Sequence, residues 1–154
     1  MTYLENKAQK HFLEEKLKAY SSINEEFSFL HEKLSSEEKD SILCPNHETQ
    51  ESLNLLLKEG QFFGSTDIIE KGTPCQCHSN VALFYEMALS VYGEDQKIYK
   101  IVTGYALSKD LIWRQHSWIL KNDSEIVETT EPRIRYFGVI LTDKNLKVFI
   151  EENI

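Results

Sequence analysis

A chain of 154 residues, 41% hydrophobic and 27% charged, has the composition of one globular domain spanning residues 1–154 around a single core. A formal net charge of −8, with lysines and arginines scattered, argues against nucleic-acid binding. No apolar run approaches the ~20 residues needed to cross a bilayer, and Met1–Lys7 lacks the apolar stretch of a signal peptide. Three cysteines, an odd number, suit free thiols in a reducing compartment, so a cytoplasmic location without a membrane partner is expected.

The first half reads as helical. Leu4, Ala8, Phe12, Leu13, Leu17 and Tyr20 share one helical face, ending at a break over Ser21-Ser22. Ser22 and Glu25 have capping-box spacing, and Ile23, Phe27, Leu30 and Leu34 continue with a helical period. Ser35 and Glu38 repeat that signal for a short helix ending near Leu43. A further helix is expected over His47 to Glu59, stopped at Gly60, and Gln61 to Pro74 reads as loop. The next helix runs from Cys77 to Tyr92 with Gly93 as its cap. Val81, Ala82, Leu83, Phe84, Met87, Ala88 and Leu89 make it apolar on nearly every side, which predicts a buried central helix.

From residue 97 the period changes. Ile98–Leu107, Leu111–Leu120, Glu125–Thr130, Tyr136–Leu141 and Leu146–Glu151 are rich in β-branched and aromatic residues and are separated by short polar turns. The predicted class is α+β: a helical N-terminal half with a buried central helix packed on a C-terminal antiparallel meander.

The segment Gly72-Thr73-Pro74-Cys75-Gln76-Cys77-His78-Ser79-Asn80 places a cysteine at a helix start. A helix N-terminus carries roughly half a positive charge and unpaired N–H groups, which lower a thiol's pKa and can hold an oxyanion. Cys77 is the expected nucleophile, and Cys75 competes for the role. A thiolate enzyme needs a nearby base and a group to orient it. His116, in Arg114-Gln115-His116-Ser117-Trp118, lies within a strand, and Glu128 lies on the next. A three-residue hairpin loop over 121–123 pairs Leu120 with Ser124 and sets His116 opposite Glu128, which would accept the imidazole Nδ1–H. A two-residue loop would set Thr129 there and send Glu128 to the other face.

A cysteine opening a helix, followed by a histidine and an acid on adjacent antiparallel strands, resembles the papain-like and transglutaminase-like cysteine enzymes. The resemblance covers Gly72 to Thr130. It implies Cys77 as nucleophile, His116 as general base and Glu128 as orienting residue. It also implies a peptidase, deamidase or acyl-transfer activity on a peptide or protein amide, with no cofactor. Two features depart from the pattern: Glu stands where Asp or Asn is commoner, and the nearest glutamines ahead of the cysteine are Gln76, next to it, and the distant Gln61.

Asn80 and His78 fall on the first turn of the same helix, and Arg114 and Trp118 share His116's face; Asn80, Arg114 and Trp118 are the expected substrate-binding residues. Arg133, Arg135 and Tyr136 are further candidates. Two other classes compete. Cys44, His47, Cys75 and Cys77, with His78, supply ligand types for a tetrahedral zinc site, although Cys-x-Cys is tighter than the usual spacing. A non-catalytic interaction domain of the same fold would use the acidic helical half to meet a protein partner.

Overall fold

The computed structural model describes residues 3–154, with side chains described from Lys7 onward. The chain is α+β, with five helices and one mixed open sheet among the described residues. In order these are α1 (Tyr3–Ile23), α2 (Glu26–Glu37), β1 (Ile42–Leu43), α3 (Gln50–Glu59), β2 (Gln61–Phe63), β3 (Ile68–Ile69), α4 (Cys77–Tyr92), β4 (Tyr99–Leu107), β5 (Ile112–Lys121), β6 (Glu125–Glu128), β7 (Arg135–Ile140) and α5 (Asp143–Asn153). No helix among the described residues is long and apolar enough to cross a membrane.

Several boundaries differ from the sequence expectation for local reasons. Helix α1 continues through Ser21-Ser22 because the Ser22 hydroxyl donates back to the Ala19 carbonyl, satisfying itself inside the helix. The Asn24 side chain accepts from Glu26 N–H instead and starts α2. Ser35 likewise bonds back to Glu32, so α2 runs on to Glu37 and no separate short helix forms there. Helix α3 begins at Gln50 rather than His47, capped by Thr49, whose hydroxyl accepts from Ser52 N–H at 3.0 Å. Leu4 lies outside the described side chains. The expected strand over Leu146–Glu151 is helix α5: Leu146, Phe149 and Ile150, spaced at i, i+3 and i+4, pack together against the sheet.

The sheet runs β2-β7-β4-β5-β6-β3, with β1 pairing separately and in parallel with β5. Strands β4, β5 and β6 form the expected meander. Strand β7 departs from it by returning beside β4, and β3 pairs in parallel with β6. The two outermost strands, β2 and β3, are joined by residues 64–67 alone. From Phe63 to Ile68 the chain spans at most about 18 Å, whereas the edges of a flat six-strand sheet lie about 24 Å apart. The sheet is therefore rolled, with one face concave.

Odd-numbered residues of β4, β5 and β7 face the helices. Tyr105, Leu107, Trp113 and Phe137 pack with α2 and α3, while Ile101 and Ile119 pack with Val81 of α4. Even-numbered residues line the concave face, where Val102, Ala106, Trp118, Leu120, Ile126 and Tyr136 form a second core. Helix α4 spans the residues the pattern predicts, but it is not a buried central helix. Leu83 and Met87 are 56% and 63% exposed, because only one side of α4 is covered, by the sheet and α5.

Gly104 and Gly138 face each other across β4 and β7. A Cβ on Gly104 would stand 2.2 Å from the Phe137 carbonyl oxygen and 2.5 Å from Gly138 Cα, both backbone atoms that cannot swing aside. Gly104→Ala is expected to cost about 2 kcal/mol through overpacking. Thermal unfolding checks this: the midpoint should fall by roughly 5 °C.

Candidate active site

Strand β5 is continuous with β4 on one side, but its other side is split. It pairs with β1 at Ile112 and Trp113 and with β6 from Ile119 to Lys121. Between them, residues 114–118 have no strand partner on that side. The start of α4 fills this gap. The Ser117 backbone N–H, which would otherwise continue the ladder, is directed to the Cys77 thiol and favours its anion.

The turn before α4 is held from within the helix. Asn80 accepts from Thr73 N–H at 3.1 Å and donates to the Thr73 carbonyl at 2.8 Å. Gly72 lies against that carboxamide so closely that a Cβ would sit 2.6 Å from it. Asn80 thus clamps the loop to the helix, its carboxamide engaged by Thr73. Cys75 adopts a left-handed backbone (φ 61°) and is exposed. Gln76 gives α4 no side-chain cap, and the first turn carries no acid. The N–H groups at its start therefore lack side-chain acceptors.

Cys77, rather than Cys75, meets His116. His116 is 3% exposed and Glu128 fully buried, and His116 Nε2 stands 2.7 Å from Glu128 Oε1. The acid therefore holds Nε2, not the expected Nδ1, which leaves Nδ1 for the sulfur. The register also differs from expectation. Lys121 pairs with Glu125, so His116 and Glu128 are diagonal neighbours instead of directly opposed. Asn122 and Asp123 make a turn at positive φ, closed by Ser124 N–H to the Lys121 carbonyl, and Ser124 is the extra residue of a bulge. A bare two-residue turn would have reversed the face. The bulge restores the parity, and a shift of two residues keeps Glu128 beside the histidine.

The carboxylate of Glu128 is fully used. Oε1 also accepts from the Tyr136 hydroxyl at 2.7 Å, and Oε2 accepts from the Thr130 N–H and hydroxyl, each at 3.0 Å. The Tyr136 proton is directed at Glu128, so the Thr66 hydroxyl, 2.6 Å from the tyrosine oxygen, is the donor of that contact. Tyr136 is thus a partner of the acid, not a substrate contact. The Trp118 ring is fully buried, lies 6.3 Å from His116 at a 20° interplanar angle, and packs on Tyr136. It walls off the pair from water and is not open to substrate. Arg114 is turned away into a two-pronged contact with Asp110, at 2.8 and 3.1 Å, and does not reach Glu128.

The electrostatics follow from these contacts. Burial alone would disfavour the Cys77 thiolate. Hydrogen bonds from His116 and Ser117 N–H, with the histidine's charge, outweigh it and bring the thiol below its ordinary value. Burial likewise opposes the His116 cation, but Cys77 and Glu128 raise its pKa. Glu128 is lowered despite burial by His116, Tyr136 and Thr130. All three directions favour a thiolate–imidazolium pair backed by a carboxylate.

Beside these three residues lies a second polar group. His78 Nδ1 is 2.6 Å from Ser117 Oγ, which is 2.9 Å from Thr103 Oγ1. Gln115 neighbours the same ring and raises its basicity, donates to Glu48 at 2.7 Å and accepts from Asn46 at 2.8 Å. Among the described residues no three His, Cys, Asp or Glu side chains converge as a metal site would require, so Cys44, His47, Cys75 and Cys77 are not gathered.

Thr130, Tyr136, Ser117 and Gln115 carry roles that the sequence reading did not give them. The Glu-Thr-Thr run holds a local signal for Thr130, a hydroxyl two residues from a carboxylate. Tyr136 depends on β7 lying beside β4, which no local pattern announces. Comparison with protein-family models, curated proteins and solved structures finds no match to this chain.

Proposed function

We propose that this chain is a cysteine-dependent amide hydrolase or acyl transferase of papain-like or transglutaminase-like arrangement, acting on a peptide or protein amide. The observation that carries the reading is the alignment Cys77–His116–Glu128. His116 is held at Nε2 by a buried, fully bonded carboxylate and turned toward a thiol at an uncapped helix start. In the reaction, the Cys77 thiolate attacks the amide carbonyl. Helix-start N–H groups take the oxyanion, and the His116 imidazolium gives its proton to the departing amine. Water or a second amine, deprotonated by the same histidine, then releases the acyl group. Glu128 holds the ring throughout. No step requires a metal or an organic cofactor.

The test uses the chain's own cysteines as standards. Iodoacetamide labelling between pH 5 and 9 (a working range around the neutral thiolate regime), read site by site by mass spectrometry, should label Cys77 first at the acid end. The sign follows from the lowered Cys77 pKa: the reactive anion persists as pH falls until that pKa is reached. A Cys77 that lags behind Cys75 across the range would sink the proposal.

A further inference from the structure

The strand β5 does not grip the start of α4 at one point. Three successive residues, Gln115, His116 and Ser117, hold two successive residues, Cys77 and His78. His116 and the Ser117 N–H neighbour the Cys77 thiol, while the Ser117 hydroxyl bonds the His78 ring at 2.6 Å and the Gln115 side chain neighbours it. Strand alternation makes this possible. His116 projects to the concave face and its two neighbours project to the helix face, so β5 reaches both sides of the helix start.

We propose that His78 is a positioning residue for the Cys77–His116 pair, its ring locked between Ser117 and Gln115 so that the first turn of α4 cannot rotate in the gap of β5. The inference rests on the thiol-enzyme reading of the same site. Its physical basis is geometric. Fully buried Ser117 contributes its N–H to the sulfur and its hydroxyl to the adjacent residue's ring. Thr103 anchors that hydroxyl from β4, and the Glu48–Asn46 loop anchors Gln115. Phe149 of α5 meets the ring edge-on at 5.9 Å and closes the remaining side. A displacement of about 1 Å at a nucleophile can cost about a hundredfold in rate. A ring fixed by two polar partners and one aromatic is a means of preventing it.

Burial and the nearby His116 charge lower the His78 pKa, against the Gln115 side chain, which raises it. The neutral ring is thereby favoured, and the contacts of His78 act on Cys77 through placement.

The experiment is iodoacetamide labelling of the full chain against pH in wild type, His78→Phe, Ser117→Ala and His116→Ala, scored as the ratio of Cys77 to Cys75 labelling. His78→Phe keeps a ring against Phe149 and removes both polar contacts. It is expected to lower the ratio at pH 6 by about tenfold and to move the rise of Cys77 labelling to higher pH. Ser117→Ala, which keeps the backbone N–H, should shift it in the same direction by less. A residue with a structural role alone would lower the thermal midpoint and leave the ratio and its pH profile unchanged. That result in folded His78→Phe overturns the proposal. If His78→Phe does not fold, Ser117→Ala decides the same question. Loss in His116→Ala without loss in His78→Phe overturns the positioning role alone. Ordinary reactivity of Cys77 in wild type, unaffected by His116→Ala, overturns it together with the enzyme reading.

Discussion

Glu128→Ala is expected to destabilise the chain by about 3–5 kcal/mol, the range for removing one member of a buried charged pair. The loss is large because the carboxylate serves four donors at once: His116 Nε2, the Tyr136 hydroxyl, and the Thr130 N–H and hydroxyl. Alanine leaves all four without an acceptor, in a place that water reaches poorly. For a chain of this length the thermal midpoint should fall by about 10 °C. Glu128→Gln should recover little, although it keeps the volume. Every partner is a donor, so either orientation of the amide turns its NH2 group toward one. The effect also carries a pH signature. The Glu128 pKa is lowered, so its stabilisation is present above the ordinary carboxyl value of 4.5 and is lost as pH falls through its folded value. The His116 pKa is raised, so its stabilisation is complete below the ordinary value of 6.5 and is lost as pH rises through its folded value. The difference in midpoint between wild type and Glu128→Ala should therefore be greatest between pH 4.5 and 6.5. Differential scanning across pH reads it directly, and a difference that is flat with pH would show that the pair does not carry the stabilisation.

The parts of this molecule legible in the sequence are those fixed by local periodicity. Helix α4, strands β4 to β6 and the Cys77, His116, Glu128 order all rest on spacing that a single segment displays. What was not legible depends on choices made elsewhere in the chain. The hairpin after β5 illustrates the boundary. Counting loop residues predicts which face Glu128 takes, but a turn plus a bulge gives a register that neither simple count contains. The His116–Glu128 contact survives because parity, not register, decides the face. Helix α5 shows the opposite case. The run Leu146-Lys147-Val148-Phe149-Ile150 has strand-like residue types but helical spacing, and packing against α4 and the sheet settles it in favour of the spacing. Asn80, Arg114 and Trp118 were placed near the right atoms by face and turn. Their polar atoms or surfaces are consumed by Thr73, Asp110 and the concave core, contacts that only the tertiary fold creates.

His116→Ala is expected to lower Cys77 labelling at pH 6 by about a hundredfold while leaving Cys75 unchanged, because a thiol reacts in proportion to its thiolate fraction. The histidine acts on the sulfur through both a hydrogen bond and its charge, and these are the largest influences opposing burial. Removing it leaves the burial penalty in force, with Ser117 N–H and the start of α4 as the remaining support. A helix terminus contributes about 0.3–1 kcal/mol, equivalent to only a few-fold in thiolate population. These groups cannot compensate for the loss. The deficit should narrow steadily as pH rises, because a growing share of the thiol then ionises without the histidine. That trend separates two causes. A gap that stays constant with pH would mean that the cavity left by the imidazole has collapsed and blocks the reagent. A gap that narrows means that His116 acts by stabilising the anion. The residual reactivity at pH 6, compared with a model thiol, then measures what the helix start and the Ser117 N–H supply without the histidine.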